Sequence, residues 1–102
     1  MKKVFVIDAS DNVGTVVVDA LQKGDEIITN GRITDLSLTV NSDIPYGHKV
    51  ALRDISQGDT VYKYGLSIGN ALENIRAGDH VHVHNVESNR GRGDKYDNVQ
   101  AE

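Results

Sequence analysis

The sequence predicts an all-β domain of short strands joined by tight turns, with at most one or two short helical turns. Three observations carry that reading. A turn-and-strand unit repeats along the chain, runs rich in Val, Ile and Thr recur at strand length, and the 10 glycines fall largely between those runs. A chain of 102 residues is one domain that buries roughly 65% of its unfolded surface. With one Phe, four Tyr and no Trp, its core is aliphatic.

The repeat is the clearest signal. Ala51-Leu52-Arg53-Asp54-Ile55-Ser56-Gln57-Gly58-Asp59-Thr60-Val61 aligns without gaps on Ala71-Leu72-Glu73-Asn74-Ile75-Arg76-Ala77-Gly78-Asp79-His80-Val81, with six identities in eleven positions. A weaker copy runs from Asp19 to Ile27 and keeps Leu21, Gly24 and Asp25. Each copy reads as a turn: the aliphatic residue enters the core, Gly24, Gly58 or Gly78 takes a left-handed backbone position, the following Asp bonds locally, and a strand leaves.

In chain order, β-rich runs cover Val4 to Ile7, Val13 to Val18, Glu26 to Thr29, Arg32 to Val40, Lys49 to Leu52, Thr60 to Tyr64 and His80 to Val86. Asn30-Gly31, between Ile28 and Ile33, predicts a two-residue hairpin. Ile68, Ala71, Leu72 and Ile75 fall at helical spacing and predict a short helical turn, which Gly69 weakens. Periodicity fails after Val86, so the domain is read as residues 1–86, followed by a polar tail over 87–102 that opens with a basic Arg90-Gly91-Arg92.

A net charge of −4 disfavours a nucleic-acid partner, which requires clustered Lys and Arg. The absence of Cys removes disulfides and thiol nucleophiles and fits a reducing compartment. The apolar run before Asp8 is only four residues long, Val4 to Ile7, too short for a signal-peptide core, and no stretch reaches membrane-spanning length. The expected location is the cytoplasm.

Three clusters could carry chemistry. His80, His82 and His84 alternate with Val81 and Val83, so an extended strand puts the three imidazoles on one face and the valines in the core. Same-face neighbours on a strand lie about 6.6 Å apart, a span that two imidazoles can close onto a metal ion, although a polar strand edge accounts for the same pattern. Pro45-Tyr46-Gly47-His48-Lys49 places an imidazole and an ammonium at a strand start; an ordinary loop reads the same way. In Tyr62-Lys63-Tyr64, Lys63 faces away from both tyrosines. Either Lys63 lies inward with Val61 and needs an anion, or the tyrosines pack inward and Lys63 is solvated, the commoner arrangement.

In order and spacing, the elements Gly47-His48-Lys49-Val50-Ala51-Leu52, Lys63-Tyr64-Gly65-Leu66-Ser67-Ile68-Gly69 and His80-Val81-His82-Val83-His84-Asn85 resemble the SAF domain of the altronate and galactarate dehydratase family, over about residues 12–90. The resemblance implies a β-clip fold with hairpin arms. It also implies a separate small subunit, or an N-terminal domain, of a hydroxy-acid lyase that is inactive without its large catalytic subunit. A similar small subunit serves sulfolactate sulfo-lyase. The reaction implied is proton removal beside a carboxylate with loss of water, or of sulfite, assisted by iron or manganese that the large subunit could supply.

Carried over by residue, the resemblance implies His48, His82 and His84 for catalysis, Lys49, Lys63, Tyr64 and Asn85 for substrate, and His82 with His84 as candidate metal ligands. A sugar-acid dehydratase is the first expectation, sulfolactate sulfo-lyase the second, and a non-catalytic ligand-binding module the third. The expected partners are the large subunit and a small hydroxy acid, with a homo-oligomer when the chain is isolated.

Overall fold

The computed structural model describes residues 2–17 and 19–88. All regular structure among them is β: β1 (Lys2–Val6), β2 (Val13–Val16), β3 (Glu26–Gly31), β4 (Ser37–Thr39), β5 (Lys49–Ala51), β6 (Thr60–Lys63), β7 (Leu66–Ala71), β8 (His80–Val81) and β9 (Val86–Ser88). Six strands form one curled sheet in the order β4-β3-β1-β2-β5-β8, and three form a second, β6-β7-β9. β1 pairs parallel with β3, and the other ladders are antiparallel.

The repeat is the skeleton of this fold. Ile55 and Ile75 exchange a reciprocal pair of backbone bonds, each N–H to the other's carbonyl at 2.8 Å. Around them, Gly58 N–H meets Ala71 O and Gly78 N–H meets Ala51 O, both at 2.8 Å, so the two copies are related by a local two-fold. The weaker copy obeys the same rule with a partner that the sequence reading missed. Leu21 exchanges bonds of 2.8 and 2.9 Å with Ile44, so Val40 to Val50 is a fourth copy. Its signal was present in Ile44-Pro45-Tyr46-Gly47, which matches Ile55-Ser56-Gln57-Gly58.

The core divides along the same lines. Val16, Leu21, Ile27, Val40, Ile44 and Val50 pack with Val4 in one buried cluster. Ala51, Ile55, Val61, Ala71, Ile75 and Val81 pack with Val13 in another. In three copies the aliphatic positions lie four before and six after the central residue; the first copy has one extra residue after Val16. The four equivalent glycines, Gly24, Gly47, Gly58 and Gly78, all have φ between 85 and 92°.

Three sequence expectations change. Ile68 to Ile75 is not helical: β7 runs to Ala71, and the Ala71-to-Ile75 interval is the repeat spacing also seen from Ala51 to Ile55. Asn30-Gly31 is no hairpin tip, because β3 continues against β1 with Gly31 opposite Val6; the chain reverses further on, near Asp35 (φ 65°). The strand expected over His80 to Val86 breaks after Val81. Glu87 and Ser88 lie in β9, and the remainder of the expected tail lies outside the described residues.

Candidate functional site

The site lies where β5 meets β8. Their register pairs Lys49 with Val81 and Val50 with His80, which continues to place His48 opposite His82. All four imidazoles gather there. The His48 and His82 rings stack at 3.8 Å between centroids and 12° between planes. His48 Nδ1 lies 2.8 Å from His80 Nε2, so one nitrogen donates and the other accepts. His84, exposed, reaches the His80 ring at 4.9 Å. His80, which the sequence reading left out of its site residues, is therefore the ring that touches the other three.

His48 is free to join because its turn departs from the repeat. Asp25 and Asp79, at the equivalent position, each lock their own turn by accepting the N–H three residues back, from Gln22 at 2.8 Å and Arg76 at 2.9 Å. In the fourth copy that residue is Pro45, which has no N–H to give. The backbone turn survives, with His48 N–H on Pro45 O at 3.1 Å, but the side chain is released to cross to β8.

The alternating-face expectation for His80, His82 and His84 fails for an identifiable reason. Asn85 accepts His82 N–H at 3.0 Å and donates to His80 O at 2.8 Å, which closes a turn in place of a strand. Val83 is consequently 78% exposed instead of buried. Asn85 itself is buried, with both ends of its amide engaged in forming the turn.

Of the two histidines expected as metal ligands, His82 stacks on His48 and His84 meets the His80 ring. Among the described residues no group of three or more His, Asp or Glu is arranged to hold an ion. The residues present do not fit the iron or manganese that the resemblance implied.

The lysines do assemble. Val61 is buried while Tyr62 and Tyr64 are exposed, so the inward alternative holds for Lys63, which is half-buried. Its ammonium lies 4.5 Å from the centre of the Tyr64 ring. Burial lowers the Lys49 pKa, the nearby Lys63 ammonium lowers it further, and the Tyr64 phenol opposes them. Neither lysine forms an ion pair with a described residue. A cleft of about 200 Å³ opens beside Lys49, lined by Lys49, Ile68, His82, Val83, Val86 and Ser88. His82 Nδ1 is buried without a hydrogen-bond partner. Its pKa is lowered by burial first and then by His48, Lys49 and His84; His80 is lowered by burial, then His84, His48, His82 and Lys49. Such rings stay neutral below the usual imidazole range and can accept a proton.

Asp11 and Asn12 were also missed as contributors. The Asp11 carboxylate accepts the N–H groups of Tyr64 and Gly65 at the hairpin tip, while Asn12 bonds Tyr62 N–H at 2.8 Å and Thr60 O at 2.9 Å. These links span some fifty positions, and no local pattern marks them.

Comparison with known proteins accords with this arrangement. The family model for the altronate/galactarate dehydratase SAF domain matches residues 2–89. The chain is 45% identical to the (2R)-sulfolactate sulfo-lyase subunit alpha of Chromohalobacter salexigens over 84% of this chain and 95% of that protein. It is 40% identical to the altronate dehydratase of Bacillus subtilis and 43% to that of Escherichia coli, over 87% and 88% of this chain but only 17% of either relative. The chain belongs to the altronate/galactarate dehydratase SAF-domain family.

Proposed function

We propose that the chain is the small subunit of a lyase that eliminates a leaving group from a 2-hydroxy carboxylate, with sulfite loss from a sulfonated hydroxy acid as the first candidate reaction. The observation that carries this is the convergence of Lys49 and Lys63, without a carboxylate partner, beside the unpartnered nitrogen of His82. A cation and a neutral imidazole lining one cleft, Lys49 and His82, with a second cation, Lys63, near Lys49, suit a small carboxylate whose neighbouring carbon gives up a proton. Lys49 and Lys63 hold the carboxylate and offset the charge of the developing enolate. His82 or the His48–His80 pair moves the proton; because that pair shares one hydrogen bond, it keeps its geometry while carrying at most one extra proton.

The higher identity to a sulfo-lyase subunit, 45%, supports sulfite loss ahead of the water loss that the sequence expectation put first. The identities to the dehydratases, 40 and 43%, keep sugar-acid dehydration as the second reading.

The test is reconstitution with the large subunit and assay on (2R)-sulfolactate, altronate and galactarate. Sulfite release is expected from the first, and His82→Ala should slow it by about 10²-fold or more, the usual contribution of a positioned acid or base. Full turnover after His48→Ala, His82→Ala and His84→Ala would move the domain out of the active site and favour a binding module.

A further inference from the structure

The hairpin tip that carries Lys63 has an unusual backbone. Tyr64 (φ 62°) and Gly65 (φ 73°) are both left-handed, the signature of a two-residue primed turn between the paired residues Lys63 and Leu66. Gly suits such a position and Asn tolerates it, whereas a bulky aromatic there is a true outlier. A tip that needed only to turn would carry one of those residues in place of Tyr64.

What holds the outlier is Asp11. Asp11 is 1% exposed, and no described cation pairs with its carboxylate. Three backbone N–H groups solvate it instead: Asp8 at 3.0 Å, Tyr64 at 3.1 Å and Gly65 at 2.9 Å. Two of the three are the amides of the strained turn. A buried carboxylate is a costly way to stabilise a hairpin, and the cost is intelligible when the side chain of residue 64 is needed at that place. That side chain lies against the Lys63 ammonium.

We propose that Asp11 is a positioning residue for the anion cleft: by bonding the Tyr64 and Gly65 amides it fixes the Tyr64 ring against Lys63, and so aims the Lys63 ammonium with Lys49 at the carboxylate of the ligand. The proposal rests on reading Lys49 and Lys63 as the carboxylate clamp.

Asp11→Asn tests it, because the change keeps the size but turns an acceptor into a donor facing an amide. In the full chain, ring-current-shifted NMR signals of the Lys63 methylenes should move toward their unstructured positions while core methyl signals stay dispersed. In the reconstituted lyase the same variant should raise KM by about tenfold, the value of one charge-assisted bond, and leave kcat within about twofold. Tyr64→Gly relieves the turn, so it should fold at least as well as the parent yet reproduce both the Lys63 shift and the KM rise. Adding Asp11→Asn to Tyr64→Gly should raise KM no further.

Unmoved Lys63 signals in Asp11→Asn, an unchanged KM, or a loss confined to kcat overturns the proposal. If Asp11→Asn does not fold, Tyr64→Gly decides alone, and an unchanged KM there is fatal to it. A complex inactive on all three hydroxy acids would sink the proposed function, while the NMR arm would still support or overturn the positioning role.

Discussion

The Ile55–Ile75 half and the Leu21–Ile44 half of the molecule use one bond pattern for two purposes. In both, a central aliphatic pair exchanges backbone bonds, and a Gly with φ near 90° closes each turn. In both, an Asx side chain of one copy caps an amide of the other: Asn74 on Gln57 N–H, Asp54 on Ala77 N–H, Asp43 on Lys23 N–H. Each half has one turn with a side-chain lock, Gln22–Asp25 and Arg76–Asp79, and one that holds by its backbone bond alone, Pro45–His48 and Ser56–Asp59; the halves part in that Pro45 has no N–H with which a lock could form. The histidine cluster is built on the one of four equivalent turns whose lock position is a proline.

If the shared skeleton provides the stability, removing a central aliphatic should hurt either half alike. Ile44→Ala and Ile75→Ala should each cost about 2–5 kcal/mol, as buried Ile truncations do. Urea unfolding of the isolated chain measures this. A large cost in one half with a negligible cost in the other would break the equivalence.

Restoring the lock should separate stability from function. His48→Asp should lower turnover of the reconstituted lyase by about 10²-fold or more, since an imidazole is lost from the site. With Pro45 unchanged the new Asp lacks its N–H. Pro45→Gln supplies that N–H, so the double variant should be more stable than His48→Asp alone by about 1 kcal/mol, one hydrogen bond, and just as inactive. Additivity of the two changes in a double-mutant cycle would refute the substitution argument.

Much of the skeleton was legible in the sequence because it is local. The spacing of Leu21, Ile55 and Ile75 with Gly24, Gly58 and Gly78 revealed three turns and their left-handed glycines. The fourth was hidden because His48 replaces the Asp that marked the others and Pro45 precedes it, the same change that lets His48 reach His80 and His82. The site was legible in its parts but not in its geometry. His48, Lys49, Lys63 and His82 do converge, yet the ring stack depends on the β5–β8 register, and the broken His strand on a capping choice made by Asn85. His80 and Asp11 act through cross-chain contacts that no short window contains.

The glycines give a smaller test of the same equivalence. Gly58 and Gly78 share φ near 90°, but a Cβ at Gly58 meets nothing within 4 Å, whereas at Gly78 it would lie 2.4 Å from Thr39 O. Gly58→Ala should therefore cost only the left-handed strain, about 1 kcal/mol, at the low end of the usual range. Gly78→Ala should cost clearly more, because backbone must move. Equal losses in thermal unfolding would mean that the halves press on each other less than the Thr39 contact requires.

Titration should distinguish the turns most gently of all. Asp25 has its pKa lowered from 3.8, first by the Gln22 amide and then by Lys2, so its contribution is complete above that value and is lost as pH falls through the depressed one. His80 and His82 are lowered from 6.5, mainly by burial. Below 6.5 the unfolded chain takes up protons that the folded cluster resists, so stability falls as acid is added toward the depressed values. The unfolding midpoint should then decline in two stages, a histidine stage beginning below 6.5 and a carboxylate stage beginning below 3.8. His80→Gln with His82→Gln should flatten the first stage and leave the second. Persistence of the first stage in that variant would locate the acid sensitivity outside the released turn and its partners on β8.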